Sequence, residues 1–185
     1  MKEYNIIAII TDKDFGFSVK KLDNPIIRYA SRGILFDDSN NIAIINKQLK
    51  NEYKLPGGGI EQNETKEETF LREIYEETGC TAEIINIMGI TIEEKSMTNF
   101  KQISYVFLGR VINKTNELHL TKKEELEKTI VLWKSFEEGL EKIKNSEKEL
   151  VGSIFDSKYQ SLFMVRRDAE ILNYYQNNKQ KILKQ

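Results

Sequence analysis

Three glutamates, Glu73, Glu76 and Glu77, are spaced so that a helix would gather their carboxylates on one side. At about 100° per residue they fall within roughly a third of the circumference, while Phe70, Leu71, Ile74 and Thr78 fill the neighbouring arc. Like charges at i,i+3 and i,i+4 cost an isolated helix about 0.2–0.5 kcal/mol per pair, so a cation is expected among them. A cluster of carboxylates without His or Cys is a hard, all-oxygen donor set, which suits Mg2+ or Mn2+ rather than Zn2+. Just upstream, Leu55-Pro56-Gly57-Gly58-Gly59 can bend tightly and bring backbone close to a ligand, because glycine has no Cβ. An amide or carbonyl of that loop can reach a metal or a phosphate.

The elements that must hold these groups are legible around them. Thr65 and Glu68 have the spacing of a capping box, and Gly79 is placed to end the helix in the left-handed conformation. Residues 26–36 and 42–47 read as strands joined by the turn Asp37-Asp38-Ser39-Asn40-Asn41. Residues 82–94 and 104–112 are strand-like, with a polar loop at 96–101 between them, and 131–133 is a short strand before a helix over 136–145. A last amphipathic helix is expected over 162–175, with Leu162, Val165, Ala169 and Leu172 inward. Ahead of all this, 4–10 and 15–19 read as two strands joined by Thr11-Asp12-Lys13-Asp14, an N-terminal β-hairpin.

At Gly58, Glu64, Arg72, Glu73, Ile74, Glu76, Glu77 and Gly79 the chain resembles the Nudix hydrolases, whose box has glycine, five residues, glutamate, seven residues, then Arg-Glu-aliphatic-x-Glu-Glu-x-Gly-aliphatic. Only the final aliphatic differs, being Cys80. A lone acidic helix would more often be a solvated face; the glycine loop with Glu64 at the right distance argues otherwise. The resemblance implies an α/β fold: a Nudix-type α/β/α sandwich with a mixed sheet, here carrying the hairpin at the N-terminus and a C-terminal helix. It implies a metal-dependent hydrolase that cleaves a diphosphate bond in a nucleoside diphosphate linked to another group. Glu73, Glu76 and Glu77, with the carbonyl of Gly57, would hold the metal; Arg72 and Glu64 would brace loop and helix, with Glu73 alternatively the base. Two departures bear on substrate: Asn63 replaces a frequent glycine but tolerates the left-handed region, and Gly59 stands where some nucleotide-cleaving members have lysine. Signatures of members that cleave ADP-ribose, dinucleoside polyphosphates or NADH are missing. The alternative is a Nudix-fold module that binds or senses a nucleotide without cleaving it.

Outside the box, Glu124 and Glu125, with Glu127, are candidate bases between two strands, Glu93 and Glu94 weaker ones, and a solvated surface is the plainer reading of each. His119, the one histidine, reads as a loop surface residue. Arg28 and Arg32 lie four apart on one strand face and could pair with a phosphate, as Gly58 and Gly59 could through their backbone. Phe15, Phe17 and Tyr53 could stack on a base, although burial is the commoner fate.

The 185 residues suit a single domain, with 1–25 the hairpin extension, 26–150 the core and 151–185 a helical tail. With 28 basic and 29 acidic residues there is no bulk charge for nucleic acid, so a polyphosphate must be held locally. One cysteine excludes an internal disulfide, and no leader or membrane span is apparent in residues 1–10, which makes a cytoplasmic location the expectation. The expected partner is a small nucleotide, and the hairpin's free edges point to a homodimer.

Overall fold

A computed structural model describes residues 4–115, 117–154 and 156–183. The first three residues of the expected N-terminal segment and the last two of the tail therefore lie outside the described residues.

The strands are β1 (Ile6–Thr11), β2 (Ile26–Phe36), β3 (Ile42–Lys47), β4 (Glu52–Lys54), β5 (Gly57–Gly59), β6 (Cys80–Lys95), β7 (Phe100–Lys114) and β8 (Thr129–Lys134). They form one sheet of order β1-β6-β7-β2-β3-β4, with β5 added to β2 and β8 to β3. The pairing is mixed: β2–β7 and β1–β6 are parallel, while β6–β7 and β2–β3 are antiparallel.

Among the described residues, four α-helices accompany the sheet: α1 (Lys66–Thr78), α2 (Lys122–Leu126), α3 (Phe136–Glu149) and α4 (Lys158–Ile182). Alternate residues of the central strands go to opposite faces. Ile34, Ile42, Ile44, Val106 and Leu108 pack with Leu140, Ile143, Val165 and Leu172 of α3 and α4. Leu35, Ala43 and Phe107 pack instead with Phe70 and Ile74 of α1. Burial on both faces explains why these strands read as nearly continuous apolar runs. The result is the expected α/β/α sandwich. Among the described residues, no helix is long and apolar enough to cross a membrane.

The expected N-terminal hairpin is not present. Residues 6–11 do form a strand, but it pairs in parallel with β6, from Ile6 opposite Ile90 to Thr11 opposite Glu94. Asp14 accepts from the Thr11 amide at 2.7 Å and closes a 3-10 turn over residues 12–15, and no strand follows before residue 26. Phe15 packs on Phe163 and Phe17 on Tyr159, both from α4. Two aromatic rings drawn onto a distant helix outweigh local strand pairing, and β6, sixteen residues long, offers the edge that β1 uses. The hairpin-edge case for a homodimer loses its premise. The tail is likewise not an appendage, because α4 buries Phe163, Val165, Ala169, Ile171 and Leu172 while Leu162 is only half-buried.

Candidate active site

The acidic helix begins as its sequence requires. Thr65 Oγ1 accepts from the Glu68 amide at 3.2 Å, the Glu68 carboxylate accepts from the Thr65 amide at 2.8 Å, and Gly79 ends α1 at φ 64°. Asn63, in place of the frequent glycine, takes φ 69°, the left-handed conformation that the substitution tolerates. Gly57 needs its glycine twice over: its φ is 141°, and a Cβ there would strike Arg32 and the Ser31 carbonyl on β2. Gly58 lies flat against the Glu73 carboxylate, which a Cβ would overlap.

Arg72 ties loop to helix. Its Nε and Nη2 grip the two oxygens of Glu64 at 2.7 and 3.0 Å, Nη2 also donates to the Gly59 carbonyl at 3.2 Å, and Nη1 lies between Glu73 and Glu76 at 2.9 and 3.0 Å. The hydrogen bonds from Arg72 hold the Glu64 carboxyl well below its usual range, at about 2. Glu77 is different, being 2% exposed: Oε1 meets Lys54 Nζ at 2.6 Å and Oε2 accepts from the Gly57 amide at 2.7 Å. Burial pushes the Glu77 carboxyl up, against the pull of Lys54. The positive charge expected among the three acids is thus present as Arg72 and Lys54.

A cavity of about 540 Å3 opens over this surface and brings Arg28, Arg32, Glu73, Glu76, Glu77 and Glu124 to one lining, along with Gly57, Gly58, Gly59 and Arg72. Arg32 is 4% exposed, its Nε has no hydrogen-bond partner, and burial together with the nearby Arg167 lowers its pKa to about 10. Arg28 is exposed, with its guanidinium against Gly59. Glu124 caps α2, accepting through Oε2 from the Thr121 amide and hydroxyl at 2.9 and 2.8 Å. Burial would raise its pKa, but those bonds outweigh it and hold the carboxyl low.

Other candidates are placed elsewhere. Glu125 is exposed and outside the cavity, one residue on from Glu124 in the short helix α2. Glu127 is buried against Lys47 at 2.8 Å, and Glu94 pairs with Lys101 at 2.8 Å. Glu93 is buried; burial alone would push its carboxyl up, but Arg167, Lys95 and Arg32 hold it at about 2. His119 stacks on Tyr75 with centroids 4.7 Å apart at the cavity's edge. Neither Phe15, Phe17 nor Tyr53 lines that cavity.

Lys54, Lys95 and Arg167 were not visible as site residues in the sequence. Lys54 has no periodicity to mark it. Arg167 did leave a sign: it stands between Phe163 and Ile171 at i−4 and i+4, a charge on an apolar stripe.

Whether the acids suit a divalent ion can be judged from their chemistry. Among the described residues, no three His, Cys, Asp or Glu side chains converge closely enough to grip an ion as they stand. Yet Glu73, Glu76, Glu77 and the Gly57 carbonyl are hard oxygen donors on one cavity, and two of the acids already share one cationic nitrogen. Lys54 Nζ lies 2.6 Å from Glu77 and 3.5 Å from the Gly57 carbonyl. The donor set fits a hard cation that exchanges with these ammonium and guanidinium contacts.

Known proteins share the family and the fold. The NUDIX domain sequence model matches residues 27–153. The chain is 38% identical over 55 residues to an 8-oxo-dGTP diphosphatase of Proteus vulgaris, covering 28% of this chain and 49% of that protein. It is 35% identical over 81 residues to an ADP-ribose pyrophosphatase of Methanocaldococcus jannaschii, covering 42% and 48%. The matched stretch thus spans about half the length of these curated relatives. Among solved structures, a MutT protein from Methanosarcina mazei Go1 superposes with a TM-score of 0.52 at 21% identity, over 85% of this chain and 99% of that one. A NUDIX hydrolase from Nitrosomonas europaea gives 0.58 at 15% identity, over 84% and 91%. At such identities these two speak for the fold.

Proposed function

The chain belongs to the NUDIX family, and from that premise we propose that it is a pyrophosphohydrolase cleaving the diphosphate of a nucleoside diphosphate derivative, such as a nucleoside triphosphate, with Mg2+ or Mn2+. The observation that carries the reading is the Arg72 staple: it fixes Glu64, Glu73, Glu76 and the Gly59 carbonyl around one guanidinium, beside a cavity that also offers cations without partners.

Glu73, Glu76, Glu77 and the Gly57 carbonyl would hold the metal. When bound, such an ion supplies Lewis acidity at a phosphoryl oxygen and lowers the pKa of water. The remaining work falls to the chain. Arg28, exposed at the mouth, is free to grip oxygens of the diphosphate, and the guanidinium fork favours such bidentate pairing. Gly58 and Gly59 line the same cavity.

Glu124 is the base that best meets the need for an ionised carboxylate inside the cavity. Its Oε2 is committed to Thr121, which leaves Oε1 to take a proton from the attacking water. Glu125, exposed and outside, is not part of this scheme.

The test is a panel of nucleoside triphosphates and nucleotide sugars, with phosphate and nucleoside monophosphate release measured with Mg2+, with Mn2+ and after exhaustive chelation. Release that needs the metal supports the reading. Metal-independent turnover would refute the mechanism, and nucleotide binding with no release anywhere in the panel would favour the binding module.

A further inference from the structure

Beyond the box, the cavity continues to a wall built by α4, which follows the segment matched to the family, residues 27–153. Arg167 enters from that helix completely buried. Its Nη1 donates to Glu93 at 2.8 Å and its Nε to Asp168 at 2.7 Å, but its buried Nη2 has no hydrogen-bond partner. Arg32, on β2, faces the same space with an unpartnered Nε. Lys95 meets the other oxygen of Glu93 at 3.0 Å and lies over the rings of Phe100 and Phe163 at 5.6 and 5.3 Å.

Three buried cations therefore share two buried carboxylates, Glu93 and Asp168. Leaving a buried charge unpaired is expensive, and proteins ordinarily neutralise it. Arg32 donates no hydrogen bond to a side chain; it acts on Glu93 and Asp168 through its charge alone, both of which Arg167 already pairs, and it stands near that second guanidinium. Two arginines that line one cavity, each with a buried guanidinium nitrogen that has no acceptor, call for an oxyanion from outside.

We propose that Arg32 and Arg167 form an anion subsite, walled by α4, for an oxyanion group that the substrate carries beyond its scissile diphosphate. This rests on the hydrolase reading above. It selects substrates whose remote part bears a phosphoryl or carboxylate group over those ending in a neutral sugar. Both sources present the same chemistry, two or more oxygens to a pair of guanidinium forks.

The subsite can be read without metal or turnover. In chelator, inorganic phosphate should raise the melting temperature of the parent protein. Arg32→Gln should need about tenfold to a hundredfold more phosphate for the same rise, the loss expected for a charged hydrogen bond. In phosphate-free buffer Arg32→Gln should melt close to the parent, since Arg167 and Lys95 still neutralise Glu93 and the loss of one charge is offset by relief of desolvation and of repulsion with Arg167. Arg167→Lys, which keeps a charge for Glu93 and Asp168, should also lose phosphate sensitivity. No phosphate response in the parent, an undiminished response in Arg32→Gln, or a variant that melts several degrees lower without phosphate would each overturn the proposal.

Binding of matched pairs then identifies the source. Preference for ATP over ADP assigns the third phosphate, and preference for UDP-glucuronate over UDP-glucose assigns a carboxylate, in either case erased by Arg32→Gln. No preference in either pair would mean that the arginines hold the scissile diphosphate itself, and would overturn the assignment. A phosphate response with no metal-dependent release from any nucleotide would sink the hydrolase reading and leave the subsite standing.

Discussion

Glu76 and Glu77 are adjacent acids, yet replacing each by Gln should have very unequal consequences for stability. Helix repulsion alone suggests that losing either charge relieves strain without metal. The structure reverses this for Glu77. Its carboxylate is 2% exposed and neutralises Lys54, whose side chain is 8% exposed, so Glu77→Gln strands a buried ammonium. Removing one partner of a buried ion pair costs about 3–5 kcal/mol. The amide oxygen can still accept from Lys54 and from the Gly57 N–H, which favours the lower end. About 3 kcal/mol corresponds to a fall of roughly 6–12 °C in melting temperature for a chain of this size. Glu76, with its side chain 37% exposed, should change by less than about 0.5 kcal/mol, since Arg72 keeps Glu64 and Glu73. Urea and thermal melts of both variants in chelator measure the difference, and Lys54→Met/Glu77→Gln should recover much of the loss. Equal melting of the two single variants would refute the buried-pair account. Both should lose about a thousandfold in rate if they hold the metal.

The other expectations are brief. Gly58→Ala should displace the Glu73 carboxylate and lower the rate at least about tenfold with little loss of stability, whereas Gly57→Ala should also unfold the protein more easily, because its Cβ meets backbone at a strained φ; melts and rates on both variants check this. Glu64 is held at about 2, below its ordinary 4.5, so its stabilisation is fully present above pH 4.5 and is lost as pH falls toward 2. Urea midpoints between pH 2 and 6 should therefore drop less steeply in Glu64→Gln than in the parent. Glu124→Gln should slow turnover by about a hundredfold or more while Glu125→Gln leaves it near normal; equal rates for the two would remove Glu124 as base.

Local signals carried much of the chain from sequence to structure. Thr65, Glu68 and Gly79 bound α1 because capping chemistry lies within a few residues of the helix it ends. Ile34 to Phe36 and Ile42 to Ile45 read as strands because both faces of the sheet are covered. What failed was what depends on partners distant in sequence. Residues 4–19 have the pattern of a hairpin, but β1's partner is eighty residues away, and Phe15 and Phe17 answer to α4. Glu124 and Glu125 looked alike until a five-residue helix turned one toward the cavity. Lys54 and Arg167 carry no motif; their importance comes from Glu77 and Glu93, which only the fold brings to them.

One contact of α4 ties these distant parts together. Asp168, beside Arg167, accepts from the Leu55 amide at 2.9 Å, two residues before Gly57. The last long helix thus anchors the start of the glycine loop directly. A protein shortened to the matched family segment would keep every box residue and still lose that anchor, along with the cover that α4 gives the apolar sheet face. Docking of α4 thereby adds to the hold that Arg72, Glu77 and the β2–β5 pairing already have on the loop. The box and the wall facing it are nonetheless written in separate stretches of sequence, so residues of the wall such as Arg167 can change while every box residue stays as it is.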